Sequence, residues 1–187
     1  MQAPDLVQRL ALLQPFSQSL KDNPDPASLY IGYATGDFFM VRPLRTSNLK
    51  TQLKAPESAA YQVWSIERND TGQAHSQSLF FDQDLAFISR QDNPGDSYDP
   101  RNRAWFSSAK RDNDQITTEP YVFFSTHNVG TTLARRSGDS AVMGADLTLE
   151  ELSATLAKHV VTPATEIVLF DAKGNAIAYP DSTRLIV

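Results

Sequence analysis

LYIGYATGDFFMV, residues 29–41, sets two apolar and aromatic runs, Leu29–Tyr33 and Phe38–Val41, on either side of Ala-Thr-Gly-Asp. Short runs of this composition around a glycine-containing turn read as a β-hairpin. Strand composition continues downstream. Residues 60–68 (AYQVWSIER), 76–81 (SQSLFF) and 84–90 (DLAFISR) are separated by short polar turns such as NDTGQ. Short connections of this kind join antiparallel neighbours, because a parallel crossover needs a dozen or more residues. Antiparallel sheet is therefore the expected core architecture. Residues 103–111 read as a short helix, and strand-like runs follow at 116–126, 130–136 and 140–147.

Helices frame this sheet. Residues 5–21 carry Leu6, Leu10, Leu13, Phe16 or Ser17, and Leu20 at helical spacing behind an Asp5 cap, with Gln8 three residues later. That pattern predicts one amphipathic opening helix, stopped by the proline-rich Asp22–Ser28 segment. A second helix start is marked by the Thr148/Glu151 capping box, flanked by Leu147 and Leu152 as a hydrophobic staple. Leu149, Leu152, Leu156 and Val160 continue it as an apolar stripe. After Pro163 the run EIVLFDAKGNAIAYP is expected to form another hairpin. It aligns with the first, Ala34 on Ala172, Gly36 on Gly174 and Asp37 on Asn175, as a repeat of one unit or as a chance match of turn chemistry.

The fold class is therefore α+β. The 187 residues, 41% of them apolar and 21% charged, suffice for one packed domain or one plus part of another. The balance of 17 basic against 22 acidic side chains, a net charge of −5, argues against a polyanionic partner, so no nucleic acid is expected. Cysteine is absent, which excludes disulfides, thiolate metal sites and a cysteine nucleophile. No run reaches the ~20 apolar residues of a membrane span. The opening MQAPDLVQRLALLQPF lacks the pattern of a signal peptide, because Gln8, Arg9 and Gln14 interrupt it. The chain reads either as cytosolic or as a segment whose targeting elements lie outside it.

Linear catalytic signatures are missing. His75, His127 and His159 stand far apart and without metal-ligand spacing, so they read as surface or turn residues. No nucleophile elbow, phosphate loop or dinucleotide fingerprint occurs. Asp92, Asp96 and Asp99 lack the register of a calcium loop and read as a solvated loop. No metal or cofactor is expected. One stretch stands apart, SYDPRNRAWF, residues 97–106, where Tyr98, Trp105 and Phe106 accompany Arg101 and Arg103 around a proline turn. Guanidinium forks and indole N–H groups suit a small carboxylate. The competing reading makes Trp105 and Phe106 core residues, with the arginines solvated or paired with aspartates.

YDPRNRAWFSSA, EPYVFF, VMGADLTLEELSATL and FDAKGNAIAYP, in this order and spacing, resemble the double Cache (dCache) domains, extracytoplasmic sensor modules of bacterial transmembrane signalling proteins. The resemblance spans roughly residues 5–180. It implies a long N-terminal helix with its linker (1–28), a membrane-distal PAS-like ligand-binding sheet (29–147), and a connecting helix with the start of a smaller membrane-proximal PAS-like unit (148–187). In relatives that bind amino acids an Arg-x-Trp-Tyr corner holds the carboxylate, and a Tyr-x-Asp pair with a later aspartate holds the ammonium group. Arg103 and Trp105 match the corner, Tyr121 the pair and Asp146 the later aspartate, with Tyr98 close by. Phe106 and Phe123 depart, standing where tyrosine and the ammonium-binding aspartate belong.

The resemblance thus implies a non-enzymatic sensor of a small molecule in a membrane-anchored periplasmic setting, and the departures at Phe106 and Phe123 suit a carboxylate, or another small molecule with an apolar portion, better than an ordinary α-amino acid. Dimerisation through the long helix is compatible with it. GTTLARR, residues 130–136, resembles sensors joined to nucleotide cyclase or cyclic-nucleotide phosphodiesterase outputs more than those of chemoreceptors or histidine kinases. A protein-docking module without a ligand, and an enzyme with a site scattered along the chain, are the rival classes.

Overall fold

A computed structural model describes residues 4–160, 162, 164–170 and 173–180. Among these, nine strands form one antiparallel sheet: β1 (Ser28–Tyr33), β2 (Phe38–Pro43), β3 (Tyr61–Arg68), β4 (Ala74–Phe81), β5 (Phe87–Asp92), β6 (Ile116–Thr117), β7 (Tyr121–Val122), β8 (Val129–Ser137) and β9 (Ala141–Thr148). The order is β5-β4-β3-β2-β1-β9-β8-β6, with β7 also paired to β8. The expected hairpin is present, with Leu29 opposite Val41 and Gly32 opposite Phe38. Its turn needs Gly36, whose φ of +91° an L-residue rarely adopts.

Alternation along the strands divides the sheet into two buried faces. Ile31, Tyr33, Phe39, Val41, Val63, Leu79 and Phe81 point to one side, where Leu13, Phe16 and Leu20 cover them. Tyr30, Phe38, Met40, Trp64, Ile66 and Val142 point to the other, against Tyr98, Trp105, Phe106 and Ala109. The helix α4 (Ala104–Arg111) supplies Trp105, Phe106 and Ala109 from its buried stripe.

The opening helix departs from the expected single element. It divides into α1 (Leu6–Leu10) and α2 (Leu13–Asp22). Pro15 has no N–H to offer the Ala11 carbonyl, which weakens the continuous ladder at that point. The Asp5 cap holds: its side chain accepts from the Gln8 amide at 2.8 Å, and the Gln8 side chain returns the bond. Arg9 locks α1 to the sheet, donating to the Phe38 and Ile66 carbonyls at 3.0 and 3.1 Å and pairing with Glu67 at 3.0 Å.

The run 116–126 also differs from expectation, forming two two-residue strands and then a loop. Pro120 breaks the ladder between β6 and β7, since proline has no amide hydrogen. A short helix absent from the sequence reading, α3 (Ser47–Gln52), starts at Thr46, whose hydroxyl accepts from the Leu49 amide at 3.2 Å. The helix α5 (Leu149–Lys158) begins at the expected capping box, with the Glu151 amide 3.0 Å from Thr148 Oγ1 and the Thr148 amide 3.2 Å from Glu151 Oε2. Val160 lies beyond its end, so the stripe is one residue shorter than expected.

A second small sheet, β10 (Leu169–Phe170) with β11 (Ala176–Ala178), packs beside α5, with Ala178 buried. Gly174 has a φ of +86°, the conformation of Gly36 in the first hairpin. Ala172, Pro163 and the last residues of the second unit lie outside the described residues.

Candidate ligand-binding site

The cleft-facing side of the sheet carries a buried polar centre. β1, β9 and β8 lie side by side in register, so that Ser28 and Thr132 flank Asp146 from its two neighbouring strands. Asp146 Oδ1 accepts from the Tyr30 hydroxyl at 2.7 Å and from Thr132 Oγ1 at 2.7 Å. Its Oδ2 accepts from Ser28 Oγ at 3.3 Å. Tyr121 joins through Thr132, oxygen to oxygen at 2.7 Å. Tyr30 reaches across β9 only because residue 144 is glycine, where a Cβ would overlap the Tyr30 ring.

Burial dominates the electrostatics here. It raises the Asp146 carboxyl above the ordinary range, against the pull of its hydroxyl donors and of Arg42. Burial beside Asp146 pushes the Tyr121 phenol up to about 12 and holds Tyr30 and Tyr98 well above their usual value.

The aromatic corner closes over this centre. Asp99 caps the turn Pro100–Asn102 by accepting from the Arg101 amide at 2.9 Å. Arg101 then pairs with Asp99 at 2.6 Å, and Arg68 approaches the same oxygen at 3.6 Å. Burial opposes ionisation of Asp99, but its bonds to Arg101 outweigh that and hold the carboxyl below its usual range. Asp96 is likewise engaged, accepting from Trp64 Nε1 at 3.1 Å and Ser76 Oγ at 2.6 Å. Of the acidic trio, only Asp92 behaves as the solvated residue expected for all three.

Arg103 differs from its neighbour Arg101. Among the described residues no carboxylate lies within ion-pair distance of its guanidinium. The group sits 5.5 Å from the Tyr121 ring centroid and 6.0 Å from that of Tyr98. Rings hold a cation in place without neutralising it, for about 0.5–1 kcal/mol at partly exposed sites.

Tyr98, Arg103, Trp105, Tyr121, Phe123 and Asp146 line one narrow cleft of about 20 Å³, with Tyr30, Met40, Trp64, Phe124 and Ser125. Six of the seven residues singled out in the sequence therefore meet. Phe106 does not line the cleft: it packs in the core against Trp105, with Lys110 over its ring. Trp105 serves both readings, being 1% exposed in the core and present on the cleft wall.

Two larger cavities adjoin the cleft, one of about 510 Å³ that shares Phe123 and Asp146, and one of about 210 Å³ that shares Trp64, Phe124 and Ser125. The loop after β7 lines both, with Phe123, Thr126 and Asn128 on the first and Phe124 and Ser125 on the second. Phe123 accepts from the His127 amide at 3.0 Å, and Phe124 lies parallel to Trp64 at 6.2 Å between centroids. Sequence reading missed Tyr30, Thr132, Arg42 and Trp64 at this site. The alternation of β1, β2 and β3 was the available signal, since it sets Tyr30, Arg42 and Trp64 on one face.

Among the described residues no cluster of three or more histidine and acidic side chains could hold a metal, and no helix is long and apolar enough to cross a membrane.

The antiparallel sheet with its N-terminal helices and small second sheet has the fold of dCache-type ligand-binding sensor domains. The chain is homologous to part of Adenylate cyclase 1 of Rhizobium meliloti, 31% identical over 170 residues, which are 90% of this chain and 26% of that protein. It is also 30% identical over 87 residues to a probable methyl-accepting chemotaxis protein of Bacillus thuringiensis, 46% of this chain and 13% of that protein. The chain thus spans about a quarter or less of the curated relatives it matches. The ligand-binding domain of the Campylobacter jejuni chemoreceptor Tlp3, solved with L-valine, shares the fold at a TM-score of 0.52 and 17% identity, covering 94% of this chain and 52% of that one. No family model matches the chain.

Proposed function

We propose that the domain binds a small carboxylate in the cleft between the sheet and the Tyr98–Trp105 corner, with Arg103 taking the carboxylate. The observation that carries this reading is the charge of Arg103, which faces two aromatic rings while Arg101, two residues away, is paired with Asp99. Trp105 and Tyr121 wall the ligand, and Phe123 gives it an apolar surface. Tlp3 was solved with amino acids bound. In this chain Asp146 already accepts from Tyr30, Thr132 and Ser28, and Phe123 offers no acceptor for an ammonium group. A carboxylate without an α-ammonium group suits these residues better.

The domain acts as a binder rather than a catalyst, with residues 29–147 forming the ligand-binding unit. Its place is the periplasmic part of a membrane-anchored protein, and likeness to a segment of Adenylate cyclase 1 favours a nucleotide cyclase output over a chemotaxis output. A ligand that prefers one arrangement of cleft and helices shifts the balance between the two, and that shift is the signal. A thermal-shift screen against small carboxylates, amino acids and amines tests the reading. Stabilisation by carboxylates that is lost in Arg103→Ala supports it, and stabilisation by amines alone rejects it.

A further inference from the structure

Arg42 projects from β2 into the same side of the sheet as Met40 and Phe38, yet it is a cation buried to 5% exposure. Buried charges ordinarily meet an opposite charge. Among the described residues none lies within 4 Å of this guanidinium. Its contacts are neutral: Ser125 Oγ at 2.6 Å, Gln62 Oε1 at 3.4 Å and Met40 Sδ at 3.2 Å. Burial lowers its pKa to about 10, and the field of Asp146 only partly opposes this.

The surroundings of Arg42 are polar and built. It lines both larger cavities, and the one of about 210 Å³ has a floor of Gln62 and Ser78, each no more than 4% exposed. Gln62 Nε2 and Asn93 Nδ2 both donate to Ser78 Oγ, at 3.0 and 3.1 Å. Lys54 adds a second cation to the wall. The acid present there, Asp96, is taken up by Trp64, Ser76 and the Tyr98 amide. This compartment and the cleft of Arg103 share a wall of Trp64, Phe124 and Ser125, which line both spaces.

From this arrangement we infer that Arg42 is a second anion-binding group of the ligand site, and that the ligand is a small diacid with one carboxylate on Arg103 and the other on Arg42, where Ser125 now sits. The inference rests on the carboxylate reading of Arg103 and goes beyond it in fixing the charge at the far end. Two guanidinium groups with aromatic walls between them favour a dianion over a monoanion of equal length. A charge-assisted bond at Arg42 corresponds to about ten- to hundred-fold in affinity.

The test is calorimetric titration with succinate, glutarate and adipate beside butyrate, valerate and hexanoate. The wild-type domain is expected to bind one diacid at least ~10-fold more tightly than the monoacid of equal length. Arg42→Gln is expected to erase that preference and keep monoacid binding. Arg42→Lys retains a cation and is expected to keep a weakened preference, which covers the case in which Arg42→Gln fails to fold. Equal affinity for monoacids and diacids overturns the Arg42 inference and leaves the Arg103 reading standing. So does a preference that survives Arg42→Gln. Binding of no carboxylate overturns both readings.

Discussion

Gly144→Ala probes the geometry of the polar centre directly. The added Cβ would overlap the Tyr30 ring, and β9 has neighbours on both sides, β1 and β8, so its backbone has little room to yield. Tyr30 must then leave Asp146, with which it shares a 2.7 Å bond, and disturb its edge-on packing against Trp105 at 4.9 Å. Overpacking costs about 1–3 kcal/mol, and the lost bond to a charged group about 1.5–3 kcal/mol. The reduced chain entropy of alanine returns about 0.4–1 kcal/mol. A net destabilisation of about 2–5 kcal/mol is expected, a drop of roughly 1–2.5 M in urea midpoint at an m-value of about 2 kcal/mol/M. Equilibrium urea unfolding followed by circular dichroism measures it. In a Tyr30→Ala background the same substitution should cost less than about 1 kcal/mol, because the overlap is gone. A cost below about 0.5 kcal/mol in the wild-type background, or an equal cost in both, refutes the reasoning.

Asp146→Asn is expected to leave the unliganded domain as stable as wild type or more so at pH 7, since Oδ1 keeps its two donors and the Asn amide can donate to Ser28. A carboxyl whose folded pKa is raised loses stability as pH climbs from its unfolded value near about 4 through the folded value, so the variant should flatten that slope in paired urea melts. A steeper slope in the variant would contradict it. Arg9→Met removes two bonds to strand carbonyls and an ion pair whose acid is one-third exposed, and should cost about 2–4 kcal/mol in the same assay. A change under about 0.5 kcal/mol would show that α1 is not anchored there. Thr148→Ala should lose about 1 kcal/mol through the cap of α5, read as a lowered thermal midpoint. Both of the chain's tryptophans, Trp64 and Trp105, line the cleft, so a bound carboxylate should change intrinsic fluorescence, and a saturating ligand that leaves emission unaltered would argue for binding elsewhere.

Features carried by neighbours in sequence were legible before the fold was known. The hairpin over residues 29–41 announces itself by two apolar runs around Gly36, and α5 by Thr148 and Glu151. The Tyr98–Trp105 corner lies within one turn and a helix start, so its aromatics and arginines could be grouped from the chain alone. Asp146 was reached only through resemblance, since its partners Ser28, Tyr30 and Thr132 come from strands that meet by sheet order. Arg42, Gln62 and Ser78 escaped notice for a different reason. Polar residues alternating with apolar ones in a strand read as a solvent-exposed face, and here that face is the buried floor of a cavity. Nor does local spacing say that Phe106, beside Trp105, turns into the core, because both positions are buried and only α4's packing against the sheet separates them.

The most direct test of the account is the affinity of the purified domain for a small carboxylate, measured by calorimetry for the wild type and for Arg103→Ala at matched thermal stability. The account predicts saturable binding that weakens about ten- to hundred-fold or more when the guanidinium is removed. Unchanged affinity in Arg103→Ala would contradict it.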